Sequence, residues 1–243
     1  MTHLSSDERL PLYQRLRDQL AQQIANNRWR AGEAIPTEAL LANEYGLSVG
    51  TVRKAIDMLV GERILERQQG RGTFIRRPQF HASLFRFFRF QSLSGERQIP
   101  ESHILCVDSL DAPRDVAQAL GLAEHSLVIR LQRLRLLDGK PVVAEDIWLP
   151  RERFKALLTV DLAEQGPLLY PIYEELCGQI VASADETLTA EAADGHHAAL
   201  LGIPAHSPVV VIERLARNFA GQPLEWRRSR GHAGHFRYSV EIR

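Results

Sequence analysis

The segment from Thr37 to Ile75 constrains the fold most tightly, because two short helices and a hairpin must fit into it. The stretch TEALLANEY predicts a helix that Thr37 caps and Gly46 ends. Ser48 is the natural cap of a second helix, and we expect Gly61 to end that helix. Apolar residues of the second helix recur at the spacing of one buried face, formed by Val52, Ala55, Ile56, Leu59 and Val60. Two short helices joined by a tight turn predict a helix-turn-helix.

A glycine-tipped hairpin follows the second helix. The stretch ILERQQGRGTFIRR predicts a strand, a tight tip at Gly70, Arg71 and Gly72, and a returning strand. A basic side chain between two glycines can enter a narrow groove, because nothing bulky surrounds it. Upstream, Pro11 precedes one apolar helix face formed by Leu12, Leu16, Leu20 and Ile24. The combination predicts a winged helix.

The exposed side of the second helix favours contact with DNA. The first turn of a recognition helix points into the major groove, where Ser48 and Thr51 could bond phosphate or base edges. Arg53 could make a forked contact with phosphate or guanine, and Gly50 and Lys54 fall opposite the buried face. Residues 1–77 hold twelve Lys and Arg against nine Asp and Glu, although the whole chain has zero net charge. A solvated surface helix with a purely structural hairpin is the alternative.

Residues 11–77 resemble the N-terminal winged helix of GntR-type bacterial transcription regulators. The shared motifs are the PLY opening, GEAIP before the second helix, TVR within the third, and QGRGTF in the wing. The resemblance implies that double-stranded operator DNA is contacted by Ser48, Thr51, Arg53, Gly70, Arg71 and Gly72. Ala39 and Val49 stand where many members carry arginine, so a relative's operator should not be transferred. We expect Gly50 and Lys54 to alter base readout here.

Composition limits the class of protein. The 243 residues suffice for one large or two modest domains, and 44% are hydrophobic, which is ordinary for a globular protein. No apolar run approaches the ~18 residues that a membrane span needs. The N-terminus is polar, so we expect a cytoplasmic protein. Cys106 and Cys177 are too few for a disulfide framework, and we expect no cofactor and no bound metal.

The chain divides at a boundary near Pro78. We expect a winged helix over residues 8–77, a linker over 78–95, and an α+β domain with an antiparallel sheet over 96–243. The phenylalanine-rich stretch of residues 84–90 is too apolar for a free linker. Strands are predicted near 103–108, 127–137, 141–149, 180–189, 208–218, 223–230 and 236–242, and helices near 113–121, 151–164, 168–177 and 191–202.

Two parts of this domain echo each other. ALGLAEHSLVIRLQRLRLLDGKPVVAE and LLGIPAHSPVVVIERLARNFAGQPLEW share a sequence of helix, strand, hairpin and strand at a spacing of about eighty residues, too long for a solenoid repeat. The echo predicts one sheet about a pseudo-twofold axis, with a pocket between the halves. Coincidence is the alternative.

The region from residue 84 onward resembles the UTRA effector-binding domain of the HutC-like branch of GntR regulators. That domain has a chorismate lyase-like fold, and the resemblance implies ligand binding rather than catalysis. The matching stretches are RLQRLRLLDGKPVVAEDIWLP, PIYEELCGQIVASADETL and PLEWRRSR. The resemblance assigns the effector pocket to Arg133, Arg135, Glu145, Tyr173 and Glu225. Surface ion pairs on strands are the alternative for each of them.

The chemistry of these residues indicates a small anion. Alternate residues of a strand face one way, so Arg133 and Arg135 can converge on one carboxylate or phosphate. Phosphosugar-binding members have a serine where Pro171 stands here, and the family's RGDRY motif is replaced by HAGHF at 232–236. A carboxylate effector is therefore favoured over a sugar phosphate.

Three other readings remain open at this point. His196, His197, His232 and His235 raise a metal site but lack the carboxylate or cysteine partners of a closed one. Glu145 and Glu225 could form an acid–base pair of an enzyme, although no nucleophile motif accompanies them. An architectural DNA binder would need no pocket. The favoured prediction is a homodimeric repressor that reads a pseudopalindromic operator and is released by a small acidic metabolite.

Overall fold

The computed structural model of the protein describes residues 9–76 and 100–236. The predicted linker, its phenylalanine-rich stretch and nearly all of the strand predicted at 236–242 lie outside these residues. The described residues form two compact units, one built mainly on residues up to 76 and the other mainly on residues from 100.

Three helices and a two-stranded hairpin form the first unit. In chain order they are α1 (Leu12–Ala25), α2 (Glu38–Tyr45), α3 (Val49–Gly61), β1 (Leu65–Gln68) and β2 (Gly72–Ile75). The predicted apolar faces meet in one core, whose fully buried members include Leu16, Leu20, Leu41, Val52, Ile56 and Leu59. The strands pair antiparallel from Leu65 with Ile75 to Gln68 with Gly72. The unit is the predicted winged helix.

Capping residues set the turn between α2 and α3. The Thr37 hydroxyl accepts a hydrogen bond from the Leu40 amide at 3.3 Å. Gly46 has φ of 65°, a left-handed conformation that glycine adopts without steric cost. Because Ser48 already caps α3, the two helices are joined by the shortest connection that satisfies both ends.

Helix α3 ends at Gly61, as the sequence predicts. The left-handed residue that follows is Arg63, with φ of 60°. The Arg63 amide donates to the Val60 carbonyl at 3.0 Å and the Ile64 amide donates to the Leu59 carbonyl at 2.9 Å. These two bonds form a Schellman ending, in which Arg63 rather than the glycine takes the left-handed conformation.

A six-stranded sheet with helices on its faces forms the second unit. Its elements are β3 (Glu101–Asp111), α4 (Arg114–Leu120), β4 (Leu127–Leu137), β5 (Lys140–Pro150), α5 (Arg151–Phe154), a 3-10 helix (Lys155–Thr159), α6 (Leu169–Cys177), β6 (Ser183–Ala192), α7 (Gly195–Leu201), β7 (Pro208–Arg217), β8 (Pro223–His232) and a 3-10 turn (Ala233–His235). The strand order is β3-β4-β5-β8-β7-β6, and β3–β4, β4–β5 and β5–β8 pair antiparallel. The predicted α+β class is confirmed.

The strand order is symmetrical about the central pair β5 and β8, as the sequence echo predicts. The motif α4-β4-β5 on one side matches α7-β7-β8 on the other. Gly121 and Gly202 end the two helices with φ of 63° and 64°. His125 and His206 then have φ of 61° and 64°, an uncommon conformation for a side-chain-bearing residue. Two equivalent turns with the same unusual backbone indicate two copies of one structural unit.

Two predicted helices have different bounds. Residues 151–164 were expected to be one helix, but α5 ends at Phe154 and a 3-10 helix ends at Thr159. The Asp161 carboxylate accepts from the Ala163 amide at 2.9 Å, a local bond that competes with helical hydrogen bonding. The helix expected from residue 191 begins at Gly195, because Asp194 is its cap and Ala192 still belongs to β6.

Strand register separates the side chains of the sheet onto two faces. Arg133 lies opposite Glu145, and Glu145 lies opposite Ser229, so these three share one face. Leu134 and Ala144 are on the other face, in the core around α7. The sheet thus presents a polar, buried surface on one side and ordinary helix packing on the other.

Candidate DNA-binding and effector sites

The start of α3 is organised by two hydroxyls. Ser48 Oγ accepts from the Thr51 amide at 3.1 Å and lies 2.9 Å from Thr51 Oγ1. Gly50 and Val49 are exposed beside them. A Cβ added at Gly50 would lie 3.9 Å from Ser48 Oγ, an ordinary contact. The glycine therefore leaves open space at the helix start, which a larger side chain could fill without rearrangement.

Arg53 is held by carboxylates in a network that sequence reasoning missed. Arg53 Nε donates to Glu38 Oε2 at 2.9 Å, and Arg67 on the wing donates to Glu38 Oε1 at 3.2 Å. Arg67 also donates to Asp57 Oδ1 at 2.7 Å. The Arg53 side chain is 59% exposed, so water screens these pairs and each contributes little to stability. The network orients two guanidinium groups while leaving them accessible to phosphate.

The remaining predicted DNA-contacting residues lie at α3 and the wing tip. The Lys54 ammonium sits 3.8 Å from the centre of the Tyr13 ring, a cation–π contact with α1. Arg71 lies over the Phe74 ring at 5.6 Å, between Gly70 and Gly72, which both have positive φ. All eight residues are in one unit and seven are exposed, with Thr51 half-buried. Their contact with DNA stays a prediction.

The second unit brings together four of the five predicted effector residues in a buried ion cluster. Arg133 Nε donates to Glu145 Oε2 at 2.6 Å, and Arg227 donates to Glu145 at 3.3 Å and to Glu225 at 2.7 Å. Tyr173 Oη donates to Glu225 at 2.8 Å. The side chains of the three ion-pair partners Arg133, Glu145 and Arg227 are at most 2% exposed. The alternative of surface ion pairs is therefore wrong for these residues.

Aromatic and charged groups enclose the cluster. Tyr170 Oη donates to Glu225 at 3.2 Å and is approached by Arg214 at 3.2 Å, while Arg214 also pairs with Glu186 on β6. Phe154 packs edge-on against Tyr173 at 4.9 Å between ring centres. Five strands, β4 to β8, and α6 thus contribute to one site, and α6 supplies both tyrosines.

Arg135 differs from the other arginines of the cluster. It is 3% exposed, and its guanidinium donates to the Pro167 main-chain carbonyl at 2.6 Å. Within residues 9–76 and 100–236, it has no carboxylate partner. Burial and the neighbouring charges of Arg133 and Arg227 lower the pKa of Arg135 to about 10, although Glu145 opposes them. Arg135 remains charged at neutral pH in a place unfavourable to that charge.

The Glu145 carboxylate remains ionised at neutral pH. Burial opposes the ionisation of Glu145, but Arg133 and Arg227 outweigh it and lower its pKa to about 2. Burial and the charge of Glu225 raise the pKa of Tyr173 well above its usual value, so the hydroxyl stays a donor. Such groups can bind an anion or orient a polar ligand, but they do not exchange protons near pH 7.

Five residues that contribute to the buried cluster were not identified from the sequence. Tyr170 lies three residues before Tyr173 on the same helix face, and Arg227 and Ser229 alternate with Glu225 on β8. The strand alternation that pointed to Arg133 and Arg135 would have found both β8 residues. Arg214 and Glu186 carry no such local signal, because their roles depend on which strands become neighbours.

The opposite face of the sheet carries a second polar network around His197. Its ring nitrogens lie 3.1 Å from Asp146 and 2.8 Å from Asp194. The hydrogen bond with Asp146 raises the pKa of His197, although burial opposes it. Among the residues that the structure describes, no group of three or more His, Cys, Asp or Glu has the arrangement of a metal site. His197 is instead partnered by two carboxylates.

Comparison with known proteins identifies both units. Residues 12–75 match the family of bacterial regulatory proteins called gntR, and residues 96–237 match the UTRA domain. The mannosyl-D-glycerate transport/metabolism system repressor MngR of Escherichia coli is 26% identical over 233 residues, which cover 95% of each chain. The repressor NagR of Bacillus subtilis is 28% identical over 87% of this chain and 86% of its own.

Two solved structures are also similar to this chain. The ligand-binding domain of a regulator from Bordetella bronchiseptica, assigned to the GntR family, is 29% identical with a TM-score of 0.57. It covers 69% of this chain and 99% of its own. PhnF from Mycobacterium smegmatis has a TM-score of 0.54 at 24% identity, over 93% of this chain and 98% of its own, and supports the fold.

The comparisons also decide between enzyme and regulator. The matched proteins are DNA-binding transcriptional regulators rather than enzymes, and the helices in the described residues include none that could span a membrane. GntR regulators bind operator DNA, and UTRA domains bind small-molecule effectors. The winged helix lies within the gntR match, and the six-stranded sheet lies within the UTRA match. The chain therefore belongs to the GntR family of bacterial regulatory proteins, with a GntR-type helix-turn-helix domain followed by a UTRA domain.

Proposed function

We propose that this protein is a cytoplasmic, homodimeric repressor of the HutC-like branch that leaves its operator when a small carboxylate binds the UTRA domain. Two winged helices would read a pseudopalindromic operator with half-sites about one helical turn apart. The effector would bind in the buried cluster and favour a dimer arrangement that no longer fits both half-sites.

The pairing of the buried arginines carries this proposal. Arg133, Arg214 and Arg227 each pair with a glutamate, namely Glu145, Glu186 and Glu225. Arg135 is hydrogen-bonded to the Pro167 carbonyl and, among the described residues, to no carboxylate. Because buried charges require partners, the site favours a ligand with one negative charge.

A carboxylate fits this charge better than a phosphate monoester. A carboxylate carries one charge, whereas a phosphate monoester carries close to two at neutral pH. Pro171 in the first turn of α6 has neither a hydroxyl nor an amide proton to offer a phosphate. The name of the Escherichia coli relative refers to mannosyl-D-glycerate, a compound that contains a carboxylate.

The DNA half of the proposal rests on the exposed start of α3 and the wing. Ser48 and Thr51 would contact phosphate or base edges, Arg53 would contact phosphate or guanine, and Gly50 and Lys54 would shape base readout. Gly70, Arg71 and Gly72 would place one cation in the minor groove. These residues are on one exposed helix end and one exposed tip, as a winged helix requires.

The test is a screen for release of operator DNA. Selected operator fragments would be bound to the purified chain, and release would be scored by fluorescence anisotropy against sugar acids, amino acids and sugar phosphates. We expect release by a monocarboxylate and a dimer by sedimentation. Release by sugar phosphates alone would contradict the carboxylate assignment, and no ligand-dependent release would favour an architectural DNA binder.

Operator preference can be tested separately. Val49 and Gly50 leave the start of α3 bare, so Val49→Arg adds a guanidinium there, where many relatives have one. We expect the DNA sequences selected by Val49→Arg to differ from those selected by the unmodified chain. Identical selected motifs would contradict a role for this position in readout.

A further inference from the structure

The loop before α6 already occupies part of the effector site. Residues 161–168 connect the 3-10 helix at Lys155–Thr159 to α6, and the Pro167 carbonyl accepts hydrogen bonds from two arginines of the buried cluster. Arg135 donates to it at 2.6 Å and Arg133 at 3.3 Å. Two guanidinium groups converging on one oxygen is the geometry expected for one oxygen of an anion.

A main-chain carbonyl is an incomplete partner for these arginines. It accepts hydrogen bonds but carries no net charge, so among the described residues no carboxylate is hydrogen-bonded to the Arg135 guanidinium. Arg227 Nε is also buried without a hydrogen-bond acceptor in the part of the chain described here. An anion that took the place of the carbonyl would supply the missing charge, and its further polar atoms could reach donors left unsatisfied.

The loop is held weakly enough to be displaced. Its main-chain turn hydrogen bonds, from Glu164 to Asp161 and from Gln165 to Leu162, are both long at 3.3 Å, and a shorter bond of 2.9 Å joins the Ala163 amide to the Asp161 side chain. Leu162 is its buried anchor, whereas Gly166 and Pro167 are exposed. Few buried contacts and long hydrogen bonds are the features of segments that open locally at low free-energy cost.

We propose that the Pro167 carbonyl is an internal substitute for one oxygen of the effector's carboxylate, and that the effector binds by displacing it and releasing the loop of residues 161–168. This inference rests on the proposed function and adds how the site opens. The loop leads directly into α6, where Tyr170 and Tyr173 hold Glu225. Displacement therefore shifts the helix that carries part of the site, which links ligand binding to a change in structure.

Gly166 gives a way to weaken the closed loop without touching the site. Its φ is 94°, which residues with a side chain rarely adopt, and a Cβ there would meet no atom within 4 Å. Gly166→Ala therefore strains the closed loop alone. An anion displaces the Pro167 carbonyl more easily when the closed loop is strained, so the anion should bind about three- to tenfold tighter. If the carbonyl were structural support, the same change would weaken binding.

The experiment follows hydrogen exchange of the peptides covering residues 161–168 in the full chain. Acetate is the probe anion, and acetamide is its neutral counterpart of nearly the same shape. We expect acetate to speed exchange in this loop and acetamide to leave it unchanged. Gly166→Ala should lower the acetate concentration that gives half of the increase in loop exchange. The control Gly202→Ala, at a glycine with φ of 64° at the end of α7, should leave that concentration unchanged. Loop exchange that is insensitive to acetate, or weaker acetate binding by Gly166→Ala, would overturn the inference.

One variant and one further probe anion distinguish failure of this inference from failure of the proposed function. Arg135→Gln keeps a donor for the Pro167 carbonyl but removes the uncompensated charge, so it should fold normally and lose the response to acetate. A retained response would overturn the inference. Inorganic phosphate that opens the loop when acetate does not would contradict the carboxylate but leave displacement standing. Conversely, a carboxylate that releases the operator without changing loop exchange would leave the proposed function standing and overturn displacement.

Discussion

The winged helix and the UTRA sheet both use arginine–glutamate pairs, but they place them in opposite surroundings. Arg53 and Glu38 meet in water, with the arginine side chain 59% exposed. Arg133 and Glu145 meet in the interior, with side chains 1% and 0% exposed. Because water screens the Arg53–Glu38 pair, Arg53 can exchange Glu38 for a phosphate at little cost. Burial makes the second pair costly to break, so only a ligand that replaces a partner can enter.

The largest effect should come from breaking a buried pair. Glu145→Gln leaves Arg133 without its carboxylate and Arg227 with Glu225 alone. Removing one partner of a buried ion pair typically destabilises a protein by about 3–5 kcal/mol. Urea unfolding measures the loss. The matched exposed change, Glu38→Gln, should alter the free energy of unfolding by less than about 1 kcal/mol. Equal losses would mean that burial does not distinguish the two regions.

The next effect is on DNA binding rather than stability. Arg53→Ala should weaken operator binding by about 1–3 kcal/mol, or roughly 5- to 150-fold, because a forked contact is lost. Binding is measured by anisotropy at fixed salt, and acetate binding and unfolding serve as controls. Arg28→Ala removes an arginine of the same unit that is also paired with a glutamate, Glu44, and should change operator binding far less. Loss of acetate binding as well would indicate misfolding.

The network around His197 lies between the two extremes, and its contribution should depend on pH. The pKa of His197 is raised in the folded state by its hydrogen bond with Asp146. Its stabilisation is therefore fully present below the unfolded pKa of about 6.5 and is lost as pH rises through the higher folded pKa. Compared with His197→Gln, the unmodified chain should be more stable by on the order of 1 kcal/mol at pH 6, and this difference should shrink toward pH 9.

Thermal unfolding at several pH values measures that difference. His196→Gln is the matched control, because the neighbouring histidine is exposed. A stability difference that grows with rising pH would contradict the assigned direction of the pKa shift.

The smallest effect concerns the exposed network itself. Glu38→Gln removes a carboxylate that now holds both Arg53 and Arg67. Arg53 could then reach a phosphate without first breaking this ion pair, while Arg67 would keep its pair with Asp57. Binding to non-specific DNA should therefore strengthen by a few fold, less than about 1 kcal/mol. The slope of affinity against salt should also steepen slightly. Weaker non-specific binding would show that Glu38 positions the arginines more than it competes for them.

Local patterns explain why much of this molecule could be predicted from its sequence. The faces of α1 and α3, the caps at Thr37 and Ser48, and the paired strands follow from spacing that involves only near neighbours. The α+β class and the sheet symmetry followed from the same kind of evidence, since each half repeats one helix–strand–hairpin–strand unit.

Interactions that depend on tertiary structure could not be predicted from the sequence. The partner of Arg53 is Glu38, fifteen residues away on another helix, and nothing in the sequence selects it over other acids. The Pro167 carbonyl is a main-chain group, so no residue type marks it as a partner of Arg135. In both cases a contact that the local pattern does not contain decides the outcome. The helix expected through residue 164 failed for a different, local reason, because the Asp161 carboxylate accepts from the Ala163 amide.

The symmetry of the sheet has a consequence for how a ligand is oriented. Arg133 on β4 and Arg214 on β7 occupy equivalent positions of the two echoing segments, and both belong to the buried cluster. Two positions further on, the first segment has Arg135 and the second has Ala216. A fully symmetrical site would accept an asymmetric molecule in two equal poses. The Arg135–Ala216 difference removes that degeneracy, so under the proposed function the acidic end of an effector would bind on the Arg135 side.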